Sequence, residues 1–218
     1  MDAIIVEPPK QATASVIWLH GLGANGNDFE PIVPELPNEI TQHTRFIFPN
    51  APMRPITING GMVMRGWYDI EAMDLTQRQD VAGTKESQQL VDNFIGQEMD
   101  MGIASDKIIL AGFSQGGAIA LYTGLRSEHK LAGIMALSTY LPFSDSLPKE
   151  RHTANQDTSI FYGHGEYDPV IPLAHGEQSS RLLGTLGYQV AWHTYAMEHS
   201  VYPEEIKDIG QWLVKCLN

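Results

Sequence analysis

In Gly112-Phe113-Ser114-Gln115-Gly116, one hydroxyl stands between two glycines, just after the apolar Ile108-Ile109-Leu110-Ala111 and before Gly117-Ala118-Ile119-Ala120. A buried strand that turns at once into a helix lifts such a serine above the sheet edge, where it can act as a nucleophile. Side chains two residues before and two after it would collide, so Gly112 and Gly116 suit the turn. The following residue, Gln115, would offer its backbone N–H at a helix N-terminus, where partial positive charge can hold an oxyanion. The alternative is an ordinary glycine-rich turn between a core strand and a helix, so partners for Ser114 decide the matter.

A serine hydroxyl needs a base, usually a histidine held in one tautomer by a carboxylate. On an alternating strand-helix fold these follow the serine in the order acid, then histidine, each on a loop past a strand. Asp168 fits the acid, in His164-Gly165-Glu166-Tyr167-Asp168-Pro169 after the apolar run 159–163. Glu166 is its nearest rival, while Asp145 and Asp157 lack a strand immediately before them and Asp208 falls within the last helix. Of the histidines that follow, His175 opens a helix and His193 lies inside a strand; His199 alone has the loop position of a base. A second oxyanion donor should come from the loop after 15–20, Gly21-Leu22-Gly23-Ala24-Asn25-Gly26, with Leu22 N–H as the donor. That loop lacks the lysine-serine or lysine-threonine of a phosphate cradle, and His20 reads as a residue that orders it.

The elements that would carry these loops recur along the chain. Apolar runs over 3–7, 15–20, 44–48, 107–113, 131–137, 159–163 and 189–195 read as strands, several continuous rather than alternating, as in sheets covered on both faces. Between them 28–36, 80–101, 115–127, 173–186 and 203–217 read as helices. The alternation predicts an α/β protein with a mostly parallel central sheet flanked by helices on both faces, and catalytic groups at the carboxyl ends of its strands. The stretch 51–74 fits no strand-helix unit; it is expected to form a hairpin or excursion near the sheet edge, capping the core or lining an apolar groove.

The 218 residues suit one domain, 1–218, and 43% hydrophobic with 18% charged residues is ordinary for a globular chain. A formal net charge of −12 opposes binding to nucleic acid and to anionic membranes. No apolar run is long enough to cross a bilayer, and the first residues do not resemble a signal peptide. The lone cysteine, Cys216, excludes an internal disulfide and a cysteine-based metal site, and a cytoplasmic location is expected. Apolar residues around 62–68 could form a homodimer contact or a lipid-facing rim.

Together these residues resemble the phospholipase/carboxylesterase family of α/β-hydrolases, which includes bacterial carboxylesterases and acyl-protein thioesterases. The resemblance is carried by Leu19-His20-Gly21-Leu22-Gly23, Phe48-Pro49-Asn50-Ala51-Pro52, Gly66-Trp67-Tyr68-Asp69, Gly112-Phe113-Ser114-Gln115-Gly116-Gly117 and Leu137-Ser138-Thr139-Tyr140-Leu141-Pro142. It continues in 163–172 and in Met197-Glu198-His199, where Glu198 replaces the glycine of many relatives and is expected to face solvent. The resemblance implies the α/β-hydrolase fold without a large lid domain, and hydrolysis of carboxylic esters or thioesters with no cofactor and no metal. It implies the triad Ser114, Asp168 and His199, oxyanion donors Leu22 and Gln115, and an acyl site bordered by Met64, Trp67 and Leu141. Small esters, lysophospholipids and S-acylated proteins all fit that chemistry. The rival of another class is a non-catalytic protein that binds an apolar ligand on the same fold. A peptidase is disfavoured because no charged specificity pocket is legible.

Overall fold

The structure, a computed structural model, describes residues 2–72 and 79–218. Its strands are β1 (Ala3–Val6), β2 (Ala14–Leu19), β3 (Thr44–Pro49), β4 (Met53–Ile56), β5 (Met62–Arg65), β6 (Ile108–Phe113), β7 (Gly133–Leu137), β8 (Ser159–Gly165) and β9 (Val190–Tyr195). Its α-helices are α1 (Asn38–Thr41), α2 (Val81–Asp100), α3 (Gln115–Arg126), α4 (Leu147–Glu150), α5 (Leu173–Thr185) and α6 (Pro203–Leu217).

Seven strands form one sheet in the order β1-β3-β2-β6-β7-β8-β9. Every neighbouring pair is parallel except β1 with β3. The expected mostly parallel α/β sheet is therefore present, and its period-2 alternation sorts two cores. On β2, Ile17 and Leu19 face a core with Val91, Ile95, Ala118 and Leu183, contributed by α2, α3 and α5. Val16 and Trp18 face the other side, with Phe29, Ile40, Ile209 and Leu213. Burial on both faces explains why the central strands read as continuous apolar runs.

The expected helix over 28–36 is instead two 3₁₀ turns, Gly26–Asp28 and Glu30–Glu35. Pro34 lies inside the second, where it lacks the N–H and the space for an α-helical ladder. In the excursion, β4 and β5 pair antiparallel as a hairpin apart from the main sheet. Gly60 and Gly61 at its tip have φ of 65° and 78°, which explains the glycine pair. Met73 and Asp74, the last residues of the expected excursion, lie outside the described residues.

Candidate active site

Ser114 leaves the central strand β6 with φ 55° and ψ −121°, a backbone conformation costly for a side chain. It is held there from both sides. Its N–H donates to Leu137 O at 2.8 Å, and its carbonyl accepts from the Thr139 hydroxyl at 2.7 Å. The glycine argument also has a concrete form here: a methyl at Gly112 would overlap the Gly116 carbonyl, and one at Gly116 would overlap the Leu19 and His20 carbonyls. At Gly21 a methyl would come within 3.5 Å of Ser114 Cβ, so the glycine loop after β2 lies against the serine.

Neither Leu22 N–H nor Gln115 N–H has a hydrogen-bond partner among the described residues. Both residues line, with Ser114, one cavity of about 370 Å³. His20 shapes the approach of that loop. Its Nε2 accepts from Ala51 N–H at 3.0 Å, so Nδ1 carries the proton that it gives to Gly21 O at 2.7 Å. Burial lowers the His20 pKa and keeps the ring neutral, as the expected loop-ordering role requires.

Asp168, past β8, and His199, past β9, meet across their loops. His199 Nδ1 lies 2.7 Å from Asp168 Oδ2, while Asp168 Oδ1 accepts from the N–H groups of Val170 and Ile171, each at 2.8 Å. Burial acts to raise the Asp168 pKa. The bonds from His199, Ile171 and Val170 outweigh it, and the carboxyl titrates below its usual range. An ionised Asp168 accepts only, so it fixes the imidazole proton on Nδ1 and leaves Nε2 free to take a proton. A residue the sequence reading passed over sits behind the pair. His164 is fully buried, donates from Nε2 to Ile171 O at 2.8 Å and lies 3.7 Å from Asp168 Oδ2. Burial lowers its pKa, so it braces the Asp168 loop as a neutral ring.

No hydrogen bond joins Ser114 Oγ to His199 among the described residues. The imidazole stacks obliquely 4.7 Å from the ring of Phe113, the residue before the serine. Such bonds are often open without substrate and close when it binds. The rival groups are engaged elsewhere: Asp208 accepts from Tyr195 at 3.0 Å, Glu166 from Thr194 at 3.2 Å, and Asp157 pairs with Lys130. His193 stacks on Phe161 at 5.0 Å, within the sheet. Glu198 is exposed, as expected.

The residues expected to border the acyl site are not on this cavity wall. Trp67 is fully buried, and its indole donates to His20 O at 2.8 Å, so it supports the site from beneath. Met64 packs beside the glycine loop, its sulfur 3.7 Å from where a methyl on Gly23 would stand. Leu141 lines a different depression with Gln79 and His175. The apolar wall is made instead by Ile58, Tyr68, Ile70, Tyr140, Val170 and Ile171. Tyr68 and Tyr140 join hydroxyls at 2.9 Å, and burial raises both pKa values, so the wall stays uncharged.

A strained serine, two unoccupied backbone donors and an aspartate-fixed histidine at the carboxyl ends of parallel strands are compatible with acyl transfer. The phospholipase/carboxylesterase family model matches residues 1–217. The chain belongs to the phospholipase/carboxylesterase family. Among its relatives, acyl-protein thioesterase 1 of Gibberella zeae is 40% identical over 98% of this chain and 95% of its own. Acyl-protein thioesterase 1 of Yarrowia lipolytica is 41% identical over 94% of this chain and 93% of its own. The crystal structure of Zea mays acyl-protein thioesterase 2 superposes with a TM-score of 0.86 at 28% identity, covering 100% of this chain and 99% of that one. This family member therefore has the α/β-hydrolase fold and is a serine hydrolase of carboxylic esters or thioesters. Among the described residues no helix is long and apolar enough to cross a membrane.

Proposed function

We propose that the protein removes acyl chains from S-acylated polypeptides, with Ser114 as nucleophile, His199 as base and Asp168 as its orienting carboxylate. One observation carries this reading: Ser114, at a strained turn, shares an apolar cavity with two N–H groups that have no partner among the described residues. The Asp168–His199 hydrogen bond supplies the base.

In this mechanism Ser114 Oγ attacks the thioester carbonyl while its proton passes to His199 Nε2. Leu22 and Gln115 N–H groups hold the oxyanion. The C–S bond breaks, His199 returns the proton to the departing sulfur, and an acyl-Ser114 remains. Water, deprotonated by the same imidazole, attacks that ester; the acid leaves and the serine recovers its proton. With an oxygen ester the leaving atom is an alcohol oxygen and the steps are the same.

The apolar wall of the cavity favours an acyl chain. Lysophospholipase activity is the second reading, since a lysophospholipid presents the same chain. The exposed hydrophobic side chains of the hairpin, Met53, Met62 and Val63, support transient contact with an acyl-bearing substrate, and a homodimer through that face is the alternative. A single cysteine suits a reducing compartment, and we place the protein in the cytoplasm.

The test is a chain-length series of S-acyl peptides and of lysophospholipids with wild type and Ser114→Ala. Long-chain thioester turnover that vanishes in the variant supports the reading. A preference for lysophospholipids at every length would replace the substrate, and full activity of Ser114→Ala would remove the mechanism.

A further inference from the structure

Ser114 and His199 open onto different cavities. Ser114 lines the apolar one already described, whereas His199 lines a second, of about 450 Å³, together with Phe113, the residue before the serine. Its floor is Phe29, Ile32, Val201 and Ile206. Phe29 is fixed there by ring contacts with Trp18 at 5.3 Å and Phe113 at 5.5 Å. Because Nδ1 of His199 is committed to Asp168, only Nε2 can protonate a leaving atom, and that atom must lie within hydrogen-bond reach of it. His199 lines the second cavity, so a group leaving an acyl chain held in the first has that cavity within reach.

The second cavity also carries charge of one sign. Asp28 and Glu35 stand on its wall, and neither carboxylate has a hydrogen bond or ion pair among the described residues. Among the described residues no lysine or arginine lines it. The field of Asp28 reaches inward as far as His20, whose protonated form it favours.

We propose that this cavity receives the leaving group, and that Asp28 and Glu35 select a polypeptide thiol flanked by lysine or arginine. The apolar floor accommodates the aliphatic stems of those side chains while the carboxylates meet their charged ends. This inference rests on the assignment of Ser114 and His199 above.

The experiment uses S-octanoyl-cysteine peptides that differ only in two flanking residues, lysine, serine or glutamate, with thiol release as the readout. In low salt, kcat/KM is expected to fall in the order lysine, serine, glutamate. Asp28→Asn with Glu35→Gln is expected to cut the lysine-to-serine ratio by about two- to five-fold per carboxylate removed, and added salt should compress it in the wild type. Glu35→Lys should move the preference toward glutamate. Asp106→Asn with Glu128→Gln changes net charge equally at exposed sites that do not line the cavity and should keep the ratio. An unchanged ratio in the Asp28/Glu35 variant, or equal loss in the Asp106/Glu128 one, would overturn the proposal. Activity of Ser114→Ala on all three peptides would instead overturn the mechanism beneath it, so the two failures are separable.

Discussion

Gln115 Oε1 accepts a hydrogen bond from the Trp67 N–H at 2.8 Å. Its Nε2 donates to Tyr68 O at 2.7 Å. The residue whose N–H faces the proposed oxyanion thus also straps the excursion over the sheet with its side chain. Gln115→Ala leaves a buried N–H and a buried carbonyl unsatisfied, an expected loss of about 1–3 kcal/mol in stability. Turnover should fall because the cavity wall at Tyr68 loosens. Thermal melts and steady-state kinetics check both; a variant with wild-type melting and kcat would show that the strap is idle.

Asp168→Asn should keep the fold but lower kcat by about 10³–10⁴-fold, since an amide no longer fixes the proton on His199 Nδ1. KM should move little, because Asp168 is not on the wall of the apolar cavity. A loss confined to KM would contradict the assigned role.

Gly116→Ala puts a methyl against the Leu19 and His20 carbonyls, which are backbone and cannot swing aside. Destabilisation of about 3 kcal/mol or more is expected, with loss of activity. Gly96→Ala, where a methyl would meet nothing within 4 Å, is the matched control and should stabilise α2 slightly.

The pH dependence of stability should carry the signature of Glu205. This carboxyl on α6 is fully buried, neither oxygen has a hydrogen-bond partner among the described residues, and burial with the nearby Asp208 raises its pKa to about 8. Between its unfolded value of about 4.5 and about 8, the unfolded chain loses this proton and the folded one keeps it, so stability falls as pH rises. The slope is at most about 1.36 kcal/mol per pH unit. Glu205→Gln should therefore melt progressively higher than wild type from pH 5 to 8, with the gap levelling above that. A gap independent of pH would show that Glu205 is ionised in the fold.

Much of this site was legible because its residues obey local rules. The glycines flanking Ser114 mark a turn that no side chain can enter, and Asp168 and His199 each follow a strand in the expected order. The cavity wall was not legible, because Tyr68, Tyr140 and Val170 become neighbours only when loops from distant strands close. The resemblance implied Trp67 at the border of the acyl site, but nothing local shows that its indole donates to the His20 carbonyl and that the ring is buried. His164 stood in plain view beside Asp168, but nothing local shows that its ring turns inward to the Ile171 carbonyl. The two 3₁₀ turns carrying Asp28 and Glu35 were masked by apolar spacing that suits an α-helix, and Pro34 was the signal against it.

The most direct test is to react the protein with a fluorophosphonate and map the adduct by peptide mass spectrometry. A single adduct on Ser114, absent in Ser114→Ala and strongly slowed in His199→Ala, is the expected result. An adduct on another residue, or undiminished labelling of Ser114→Ala, would contradict the assignment of the nucleophile.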